Sequence, residues 1–499
     1  MLSYRRRSTP SEPVSPATSS RRILLAAYHF PPSAAVGGLR ISRFARFLPE
    51  FGWRPYVLTV DDADRPQYEG TDHGRLVGLE SVPITRTHQP SGIFDVYAQI
   101  KHKVLHLRTG RASGDRPAVE TPVRANGREG VVQRLRRYAR SLFVLLPDEQ
   151  KNWSVLAAIT AVRLIRRHGI DCILTSAPPF SVHFVGLIAK IFTRVSWIAD
   201  FRDPWGESLA IRSAHSQSWL SRRLEHWMEA MVMNKADRVL TVTEPMRQSM
   251  TARFPHIRDK FTCLPNGFDL GHLALGGRPE KYDRLTITYA GTLYLDRNPE
   301  PLFAALSALE KEGKARPGDV RIKLIGNCRY VGQLETAALA RRYGVESAVE
   351  IIERLPHTEA AQIMQRSHLL LVLAPSNHGM AVPAKIYDYL GSGSKLLALA
   401  GPGPTADLIQ ETGGGTCFSP NDVSGLKTYL DGLLTSGAYR HLRNDPELYR
   451  RWDGRSLTGQ LAAMLSGSTR SDGLAVEMSG PARSRTDPSV EPVTGPNVG

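Results

Sequence analysis

The sequence predicts an α/β protein with two doubly wound, Rossmann-like domains that face each other across a cleft. Short apolar or β-branched runs alternate with amphipathic helical stretches from about residue 21 to about residue 465, as in parallel sheets covered by helices. The alternation breaks at Leu264-Pro265-Asn266-Gly267, which reads as the start of a linker. A chain of 499 residues also exceeds what one hydrophobic core organises, so two domains are expected.

Composition sets the expected domain limits. The two ends are rich in Ser and Pro, with Arg at the start and Gly at the end, so both are predicted to be disordered tails. The predicted order is a tail over 1–20, an N-terminal domain over 21–264, a linker over 265–283, a C-terminal domain over 284–450, a terminal helix over 451–465 and a tail over 466–499. A basic insert at about 92–146 interrupts the N-terminal domain.

Apolar and β-branched runs mark the strands. The predicted strands are Arg22–Tyr28, Arg54–Val60, Val82–Thr87, Asp171–Ser176, Val195–Ala199, Arg238–Val242, Phe261–Leu264, Thr286–Ala290, Val320–Ile325, Val349–Ile352, His368–Leu373 and Lys395–Ala400. Between the first two strands, Phe44, Phe47, Leu48 and Phe51 recur at i, i+3, i+4 and i+7. This spacing predicts one buried helical face that ends at Gly52.

Charge and cysteine usage narrow the function classes. The formal net charge is +16, and half of it falls between Gln99 and Arg140, so the positive charge is concentrated in the insert. The four cysteines are far apart and form no CxxC, which argues against a disulfide scaffold and a structural zinc. Without an apolar run of ~18 residues or a signal-peptide pattern, the sequence predicts a cytoplasmic protein.

The first motif follows the first strand. Gly37-Gly38-Leu39-Arg40 stands before the first helix, where glycines let the backbone approach a ligand and helix N–H groups bind an anion. Gly37 and Gly38 are therefore candidate ligand contacts, with a plain flexible loop as the alternative. The spacing is not GxGxxG, which gives a dinucleotide site little support.

The second motif, Ala199-Asp200-Phe201-Arg202-Asp203-Pro204-Trp205, follows a predicted apolar strand. Active sites of α/β proteins lie beyond the carboxyl ends of such strands. Asp200, Arg202 and Asp203 are therefore candidate catalytic residues, with one carboxylate acting as a base or orienting a hydroxyl. A surface ion-pair loop is the alternative.

Two motifs in the second half suggest a diphosphate site. Gly291 and Thr292 end a strand, and Arg297 precedes a helix whose N-terminus offers N–H groups to an anion. Further on, Pro383 begins a helix on which Lys385 and Asp388 project from the same side. A lysine at the phosphates and a carboxylate on the ribose hydroxyls would grip a nucleoside diphosphate. An exposed ion pair is the alternative.

The ordered motifs PP…GG-L-R, ADFRDPW, LPNGFD, YAGTL and PAKIYDYLGSG resemble the family-4 glycosyltransferases of the GT-B fold, particularly those that build bacterial surface polysaccharides. The resemblance covers about 22–430. It implies that the C-terminal domain binds a nucleotide sugar and the N-terminal domain the acceptor. It also implies that Asp388 takes the place of the family's ribose-binding glutamate. The donor-binding set is then Gly37, Gly38, Gly291, Thr292, Arg297, Pro383, Lys385 and Asp388.

The chain departs from the family pattern at two places. Met380 stands where the family often has an acidic residue that engages the donor sugar, with His378 and Gly379 beside it. Thr292 and Arg297 stand where the family tends to have arginine and lysine. One phosphate-binding cation is therefore missing, and Lys385 is the expected substitute.

The resemblance implies transfer of a sugar from a nucleoside diphosphate donor with retention of configuration, without a cofactor and without a bound metal. The DxD triplet Asp62-Ala63-Asp64 lies in a polar loop and is interpreted as a solvated turn. Arg40 and His183 are candidate acceptor contacts, although a packed helix histidine is the alternative for His183.

The insert suggests how a lipid-linked or saccharide acceptor is reached. Within 131–146, leucines interleave with arginines, and such a stretch can lie on anionic lipid at the inner face of the plasma membrane. A solvated helix face is the alternative. Two rival functions remain: a nucleotide-sugar epimerase of the same fold, and a basic nucleic-acid-binding protein. No nucleic-acid-binding module is recognisable in the sequence, and the concentrated charge favours transfer.

Overall fold

Two parallel sheets organise the chain. The computed structural model describes residues 21–66, 69–90, 147–205, 219–269, 279–294, 296–374, 380 and 382–467. In both sheets, every strand runs parallel to its neighbours. The predicted fold class of two doubly wound domains is therefore confirmed.

The strands of the first sheet are β1 (Arg21–Ala26), β2 (Trp53–Val60), β3 (Ile84–Thr87), β4 (Cys172–Ala177), β5 (Ser196–Phe201), β6 (Arg238–Thr241) and β7 (Phe261–Cys263). Those of the second sheet are β8 (Leu285–Thr292), β9 (Val320–Asn327), β12 (Val349–Ile352), β13 (Leu369–Ala374), β14 (Lys395–Ala400) and β15 (Gly415–Phe418). A small hairpin joins β10 (Tyr330–Val331) to β11 (Leu334–Glu335). The short strand β15 was not predicted.

Helices cover both faces of the sheets. They are α1 (Leu39–Phe47), α2 (Lys151–His168), α3 (Val182–Thr193), α4 (Trp219–Lys235), α5 (Glu244–Arg253), α6 (Glu300–Lys311), α7 (Thr336–Tyr343), α8 (His357–Arg366), α9 (Lys385–Gly391), α10 (Pro404–Thr412), α11 (Val423–Ser436) and α12 (Gly454–Gly467). The strand order is β3-β2-β1-β4-β5-β6-β7 in the first sheet and β12-β9-β8-β13-β14-β15 in the second. The order therefore reverses between β1 and β4 and between β8 and β13. Ligands of open α/β sheets bind at these reversals, beyond the carboxyl ends of the strands.

The predicted buried face around Phe44 is only partly right. Phe44 and Leu48 are buried, but Phe51 is 40% exposed. The cause is that α1 ends at Phe47 and the chain continues as a 3₁₀ helix over Leu48–Phe51, with Pro49 in its first turn. Its tighter winding of three residues per turn rotates Phe51 away from the core.

The terminal helix crosses back to the first domain. Leu457, Leu461 and Leu465 of α12 share a core cluster with Phe44 and Leu48 rather than with the second sheet. The helix runs to Gly467, two residues beyond its predicted end. The C-terminal segment therefore contributes to the N-terminal core.

Several sequence predictions concern residues outside the described ranges: the tail 1–20, the basic insert at about 92–146, His378, Gly379 and the tail from residue 468. Within the described ranges, no helix is both long and apolar enough to cross a membrane. The Asp62-Ala63-Asp64 triplet forms a single 3₁₀ turn. There Asp62 forms ion pairs with Arg65 and Arg86.

Candidate active site in the interdomain cleft

A cavity of about 390 Å³ lies between the carboxyl edges of the two sheets. The sequence-predicted residues that line it are Gly37, Arg40, Arg202, Asp203, Arg297, Pro383 and Asp388. The lining residues that were not predicted are His29, Val36, Leu39, Arg43, Pro178, Asn266, Val382 and Ala384. Both domains contribute to the cavity, so a ligand there would contact both.

Lys385 stands beside this cavity at the start of α9. Its Nζ lies 3.9 Å from the centroid of the Tyr289 ring, which is a cation–π distance. Burial lowers the pKa of Lys385 to about 7, and repulsion from Arg297 adds to the shift. Two cations therefore converge on one place. Because that place is poorly solvated, a bound anion would favour the charged form of the lysine.

Gly291 keeps space for this lysine. It has φ +149°, a conformation that side chains rarely adopt, and a Cβ at this position would overlap the Lys385 ammonium. The glycine turn at the end of β8 is thus required by both the backbone and the neighbouring cation.

Gly291→Ala is expected to weaken nucleoside diphosphate binding by about tenfold, because the new methyl group displaces the ammonium (about 1.4 kcal/mol). Calorimetric titration measures this. Gly313→Ala is the matched control, since Gly313 has φ +70° but open space around its Cβ. Equal losses in both variants would mean that backbone strain alone is responsible.

Asp388 connects the two domains. Its Oδ1 accepts a hydrogen bond from Nη2 of Arg43 on α1, at 3.1 Å. The domains also meet where Arg354 donates to the carbonyl of Ala34 and where the His357 amide donates to Asp72, at 2.6 and 3.1 Å. Asp388 is therefore at the cavity but already paired, so a ribose hydroxyl would have to compete with Arg43.

The structure assigns Asp200 a structural place rather than a catalytic one. The strand β5 continues to Phe201, so Asp200 lies inside the sheet and not in the loop after it, and it is 0% exposed. Arg40 donates to both of its oxygens at 2.9 to 3.2 Å, and Ser176 donates to Oδ2 at 2.7 Å. Asp200 has no exposed surface for a substrate.

Arg40 is likewise engaged, although it borders the cavity. Besides Asp200, its guanidinium donates to the carbonyls of Leu264 at 2.9 Å and Pro265 at 2.7 Å, at the start of the linker. It is 4% exposed. Instead of contacting an acceptor, Arg40 ties α1, β5 and the linker together.

Arg202 and Asp203 lie at the cavity itself. Arg202 donates to the carbonyl of Gly37 at 2.5 Å and to that of Ala177 at 3.1 Å, and so it fixes the glycine loop against β4. Asp203 is half-buried and lines the cavity. Of the two carboxylates in this motif, only Asp203 lines the cavity.

His183 belongs to the core. It is 0% exposed, its Nδ1 lies 2.8 Å from Oγ1 of Thr175, and its ring centroid lies 4.3 Å from that of Phe201. Burial lowers the pKa of His183 to about 3, so the ring is neutral. The acceptor contact predicted for His183 is not supported, and the alternative of a packed helix histidine fits the structure.

The remaining predicted donor contacts stand back from the cavity. Gly38 is buried, and a Cβ there would lie 3.2 Å from the backbone of Phe30, so its role is close packing. Thr292 ends β8, and its carbonyl accepts a hydrogen bond from the Tyr289 hydroxyl at 2.7 Å. Neither residue lines the cavity.

Sequence reasoning missed His29, Arg43 and Asn266 as cavity residues. Nδ1 of His29 lies 3.2 Å from Oε1 of Glu69. Asn266 falls inside the LPNGFD motif and His29 directly follows the first predicted strand, so both positions gave a signal. Arg43 lies on the helix after the glycine pair, where the sequence showed only the apolar periodicity.

Met380 has a structural contact where an acidic residue was expected from the family. Its carbonyl accepts a hydrogen bond from Oγ1 of Thr243 in the first domain at 2.6 Å, and its side chain packs against that domain's core. The position therefore joins the two domains.

Comparison with known proteins agrees with this architecture. Residues 101–272 match Glycosyltransferase Family 4. The chain is 12% identical to a glycosyltransferase from Rickettsia africae ESF-5, with a TM-score of 0.54 and coverage of 90% of this chain and 99% of that one. It is 14% identical to a sucrose-phosphate synthase from Thermosynechococcus elongatus, with a TM-score of 0.56 and coverage of 90% of this chain and 99% of that one. It is 12% identical to OtsA in its apo form, with a TM-score of 0.54 and coverage of 89% of this chain and 99% of that one.

No curated protein matches the sequence. The identities to the solved structures are low, so those likenesses show the fold and not the reaction. The family match over residues 101–272 supports a role in glycosyl transfer. The chain thus has the GT-B fold, and its residues 101–272 are similar to Glycosyltransferase Family 4, so the resemblance seen in the sequence motifs is confirmed.

Proposed function

We propose that the protein transfers a sugar from a nucleoside diphosphate sugar to a lipid-linked or saccharide acceptor in surface polysaccharide or glycoconjugate synthesis. The observation that carries the proposal is the convergence of Lys385 and Arg297 at the carboxyl edge of the second sheet, beside a cavity shared by both domains. Retention of configuration is part of the proposal and follows from the resemblance to family 4.

Fixed positive charge is the main feature of the donor half of the site. A nucleoside diphosphate leaving group gains negative charge as the bond to the sugar breaks, and fixed cations in a poorly solvated cleft stabilise that charge. Lys385, at the start of α9, and Arg297, before α6, supply two such cations. We propose that this set serves without a resident cofactor, with the nucleotide sugar as co-substrate.

Asp388 would bind the ribose hydroxyls. It lines the cavity within one helical turn of Lys385, so a diphosphate on the lysine brings the ribose near the carboxylate. Binding requires Asp388 to exchange the Arg43 guanidinium for the two hydroxyls. Once released, Arg43 still lines the cavity and adds a third cation near the diphosphate.

The acceptor half of the site centres on Asp203. It lines the cavity from the first domain, and Arg297 and Pro383 line it from the second. A half-buried carboxylate there accepts a hydrogen bond from an acceptor hydroxyl and orients it toward the sugar. The cavity volume of about 390 Å³ lies within the range of ligand-binding pockets.

Titration calorimetry without metal, against UDP, GDP and ADP, tests the proposal. We expect one of the three to bind, and to bind more tightly below pH 7 than above it. The sign follows from Lys385: its pKa of about 7 leaves it largely neutral at higher pH, so binding there must take up a proton. Repeating the titration in buffers of different ionisation enthalpy measures the proton uptake.

The same titration shows which results would contradict the proposed donor site. If none of the three nucleotides bound, the donor site would be wrong. If one bound with no proton uptake above pH 7, Lys385 would not be at the phosphates. Once the donor base is known, proton NMR of the product formed from the matching nucleotide sugars reports the anomeric configuration, and an inverted product would overturn the retention proposal.

A further inference from the structure

We propose that the outer face of α2, α3 and α4 docks on a lipid bilayer that contains anionic lipid. This surface, called the outer face below, consists of the exposed side chains on these three helices. The inference deepens the proposed function, because it names where the acceptor would lie. The role given to docking rests on the proposed function, whereas the docking surface itself is supported by separate observations.

The outer face concentrates exposed apolar side chains. Sixteen large apolar residues are exposed in the described part of the chain, and nine of them lie on these three helices. They are Val155, Leu156, Ile159, Ile191, Phe192, Trp219, Leu220, Leu224 and Trp227. Single exposed apolar residues are ordinary, but a cluster of this kind marks an interaction surface.

The three helices share one side of the first sheet. Trp153 of α2, Val185 of α3 and Val232 of α4 all pack into the same core cluster. Helices α1 and α12 pack into the cluster on the other side of that sheet. The exposed faces of α2, α3 and α4 therefore point away from the sheet in the same general direction and form one surface.

The two exposed tryptophans are the strongest single feature. The chain has seven tryptophans, and five of them are buried. Trp219 and Trp227 are 69% and 59% exposed, and they lie eight residues apart on the solvent side of α4, with Leu220 and Leu224 beside them. Tryptophan is favoured where one side of a surface is apolar and the other is wet, as at a membrane interface.

The excess of positive charge on the outer face favours an anionic partner. Helices α2 and α3 contain no Asp or Glu, and the three helices together carry eight lysines and arginines against two glutamates. Of these two glutamates, Glu229 is buried and Glu225 is half-buried, while the exposed Glu149 lies outside the three helices, before α2. Arg222 and Arg223 stand between the exposed apolar residues of α4. Apolar side chains flanked by arginines fit the headgroup and acyl boundary of an anionic bilayer.

Most of the exposed apolar residues of the outer face lie at the same edge of the first sheet as the cleft. Helices α2 and α4 each lead into the amino end of a strand, β4 and β6, so their first halves lie near the carboxyl edge of the sheet. Seven of the nine exposed apolar residues are in these first halves. Docking would hence hold the cleft close to the bilayer, which suits a lipid-linked acceptor.

Binding of the full chain to vesicles tests the proposal. The probes are vesicles of phosphatidylcholine alone and of phosphatidylcholine mixed with phosphatidylglycerol, and binding is measured by co-sedimentation. We expect binding to the mixed vesicles only. Brominated phosphatidylcholine in the mixed vesicles is expected to quench the tryptophan fluorescence, because the accessible tryptophans are Trp219 and Trp227.

The double variant Trp219→Ala/Trp227→Ala is expected to reduce the partition constant by at least about tenfold, from the loss of two large apolar side chains. Its matched control is Tyr330→Ala/Leu448→Ala, which removes exposed apolar side chains from the second domain. The control is expected to bind like the wild type. Because all four side chains are exposed, the variants are expected to fold.

Three results would overturn the proposal: no binding of the wild type to mixed vesicles, equal binding of the double variant, or binding without quenching by brominated lipid. Equal binding would assign the membrane contact to another segment, such as the basic insert. A lipid-free dimer with both tryptophans shielded from acrylamide would assign the outer face to a second copy. Nucleotide titration is independent of vesicle binding. Absence of vesicle binding would therefore leave the proposed function unaffected, and absence of nucleotide binding would leave the docking surface unaffected.

Discussion

Replacing Lys385 with methionine is expected to weaken binding of the nucleoside diphosphate by about 2 kcal/mol, or roughly 30-fold in Kd. Methionine fills the space of the lysine stem but carries no charge, so the variant loses the charge-assisted contact with the diphosphate. The proton uptake on binding above pH 7 is expected to disappear as well, because the group that takes up the proton is gone. Calorimetry measures both effects in one series of titrations.

The same variant is expected to unfold at an equal or higher temperature than the wild type. Burial lowers the pKa of Lys385 from 10.5 to about 7, so charging this lysine is less favourable in the folded protein than in the unfolded chain. This cost is fully present below pH 7 and fades as the pH rises toward 10.5. Methionine removes the cost, and its advantage in stability is therefore expected to be largest at low pH.

Lys395→Met is the matched control. Lys395 also has a pKa lowered by burial, but it begins β14 outside the cavity and donates to the carbonyl of Gly413 at 2.9 Å. Its replacement is expected to leave nucleotide affinity and proton uptake unchanged. Should both variants bind the nucleotide as tightly as the wild type, Lys385 would be a structural lysine. The diphosphate would then have to be held elsewhere.

Local patterns were sufficient to predict where Gly291, Arg297 and Lys385 lie relative to the strands and helices of the second domain. A strand, a glycine turn and a helix that begins with proline are all encoded within a dozen residues, and in both motifs of the second domain the strand end and the helix start fall close to where the pattern puts them. The parallel topology then brings the two strand ends to one edge. Gly291, Lys385 and Arg297 meet for this reason.

Contacts between distant segments were not predictable from such patterns. The partner of Asp388 is Arg43, and the partner of Asp200 is Arg40, each on a helix of the first domain far away in sequence. A motif with two carboxylates also does not indicate which of them faces outward. That depended on where β5 ends, and two further strand residues were enough to bury Asp200 while Asp203 reached the cavity.

His183 illustrates the same limit for a single residue. Its position at the start of the helix after a predicted strand put it near the predicted cleft. That position could not distinguish the outer face of the helix from the face that meets Thr175 and Phe201. The C-terminal helix is a further case, because its apolar pattern predicts a buried face without naming the sheet that buries it. Each of these outcomes was decided by packing and not by local sequence.

Asp200→Asn is expected to destabilise the protein by about 3–5 kcal/mol, which is the usual cost of breaking a buried ion pair. The amide has nearly the shape of the carboxylate, so packing changes little. The loss arises because the Arg40 guanidinium stays buried among the carbonyls of Leu264 and Pro265 without its counter-charge. The midpoint of urea unfolding, followed by circular dichroism, measures the effect.

Asp203→Asn provides the matched comparison within the same motif. This side chain is half-buried at the cavity, and its replacement is expected to change stability by less than about 1 kcal/mol while transfer to the acceptor is lost. The two carboxylates are thus predicted to separate, with one needed for folding and the other for the reaction. An Asp200→Asn variant that unfolds like the wild type, or an Asp203→Asn variant that keeps full transfer activity, would contradict this division.

The double variant Arg40→Met/Asp200→Leu shows whether the destabilisation comes from the unpaired charge. Removing both charges leaves no buried ion without a partner, so the double variant is expected to be more stable than Asp200→Asn alone. If the double variant is instead less stable than Asp200→Asn, the main contribution is the bonding of Arg40 to the linker carbonyls. In that case Arg40, and not the ion pair, connects the first domain to the linker.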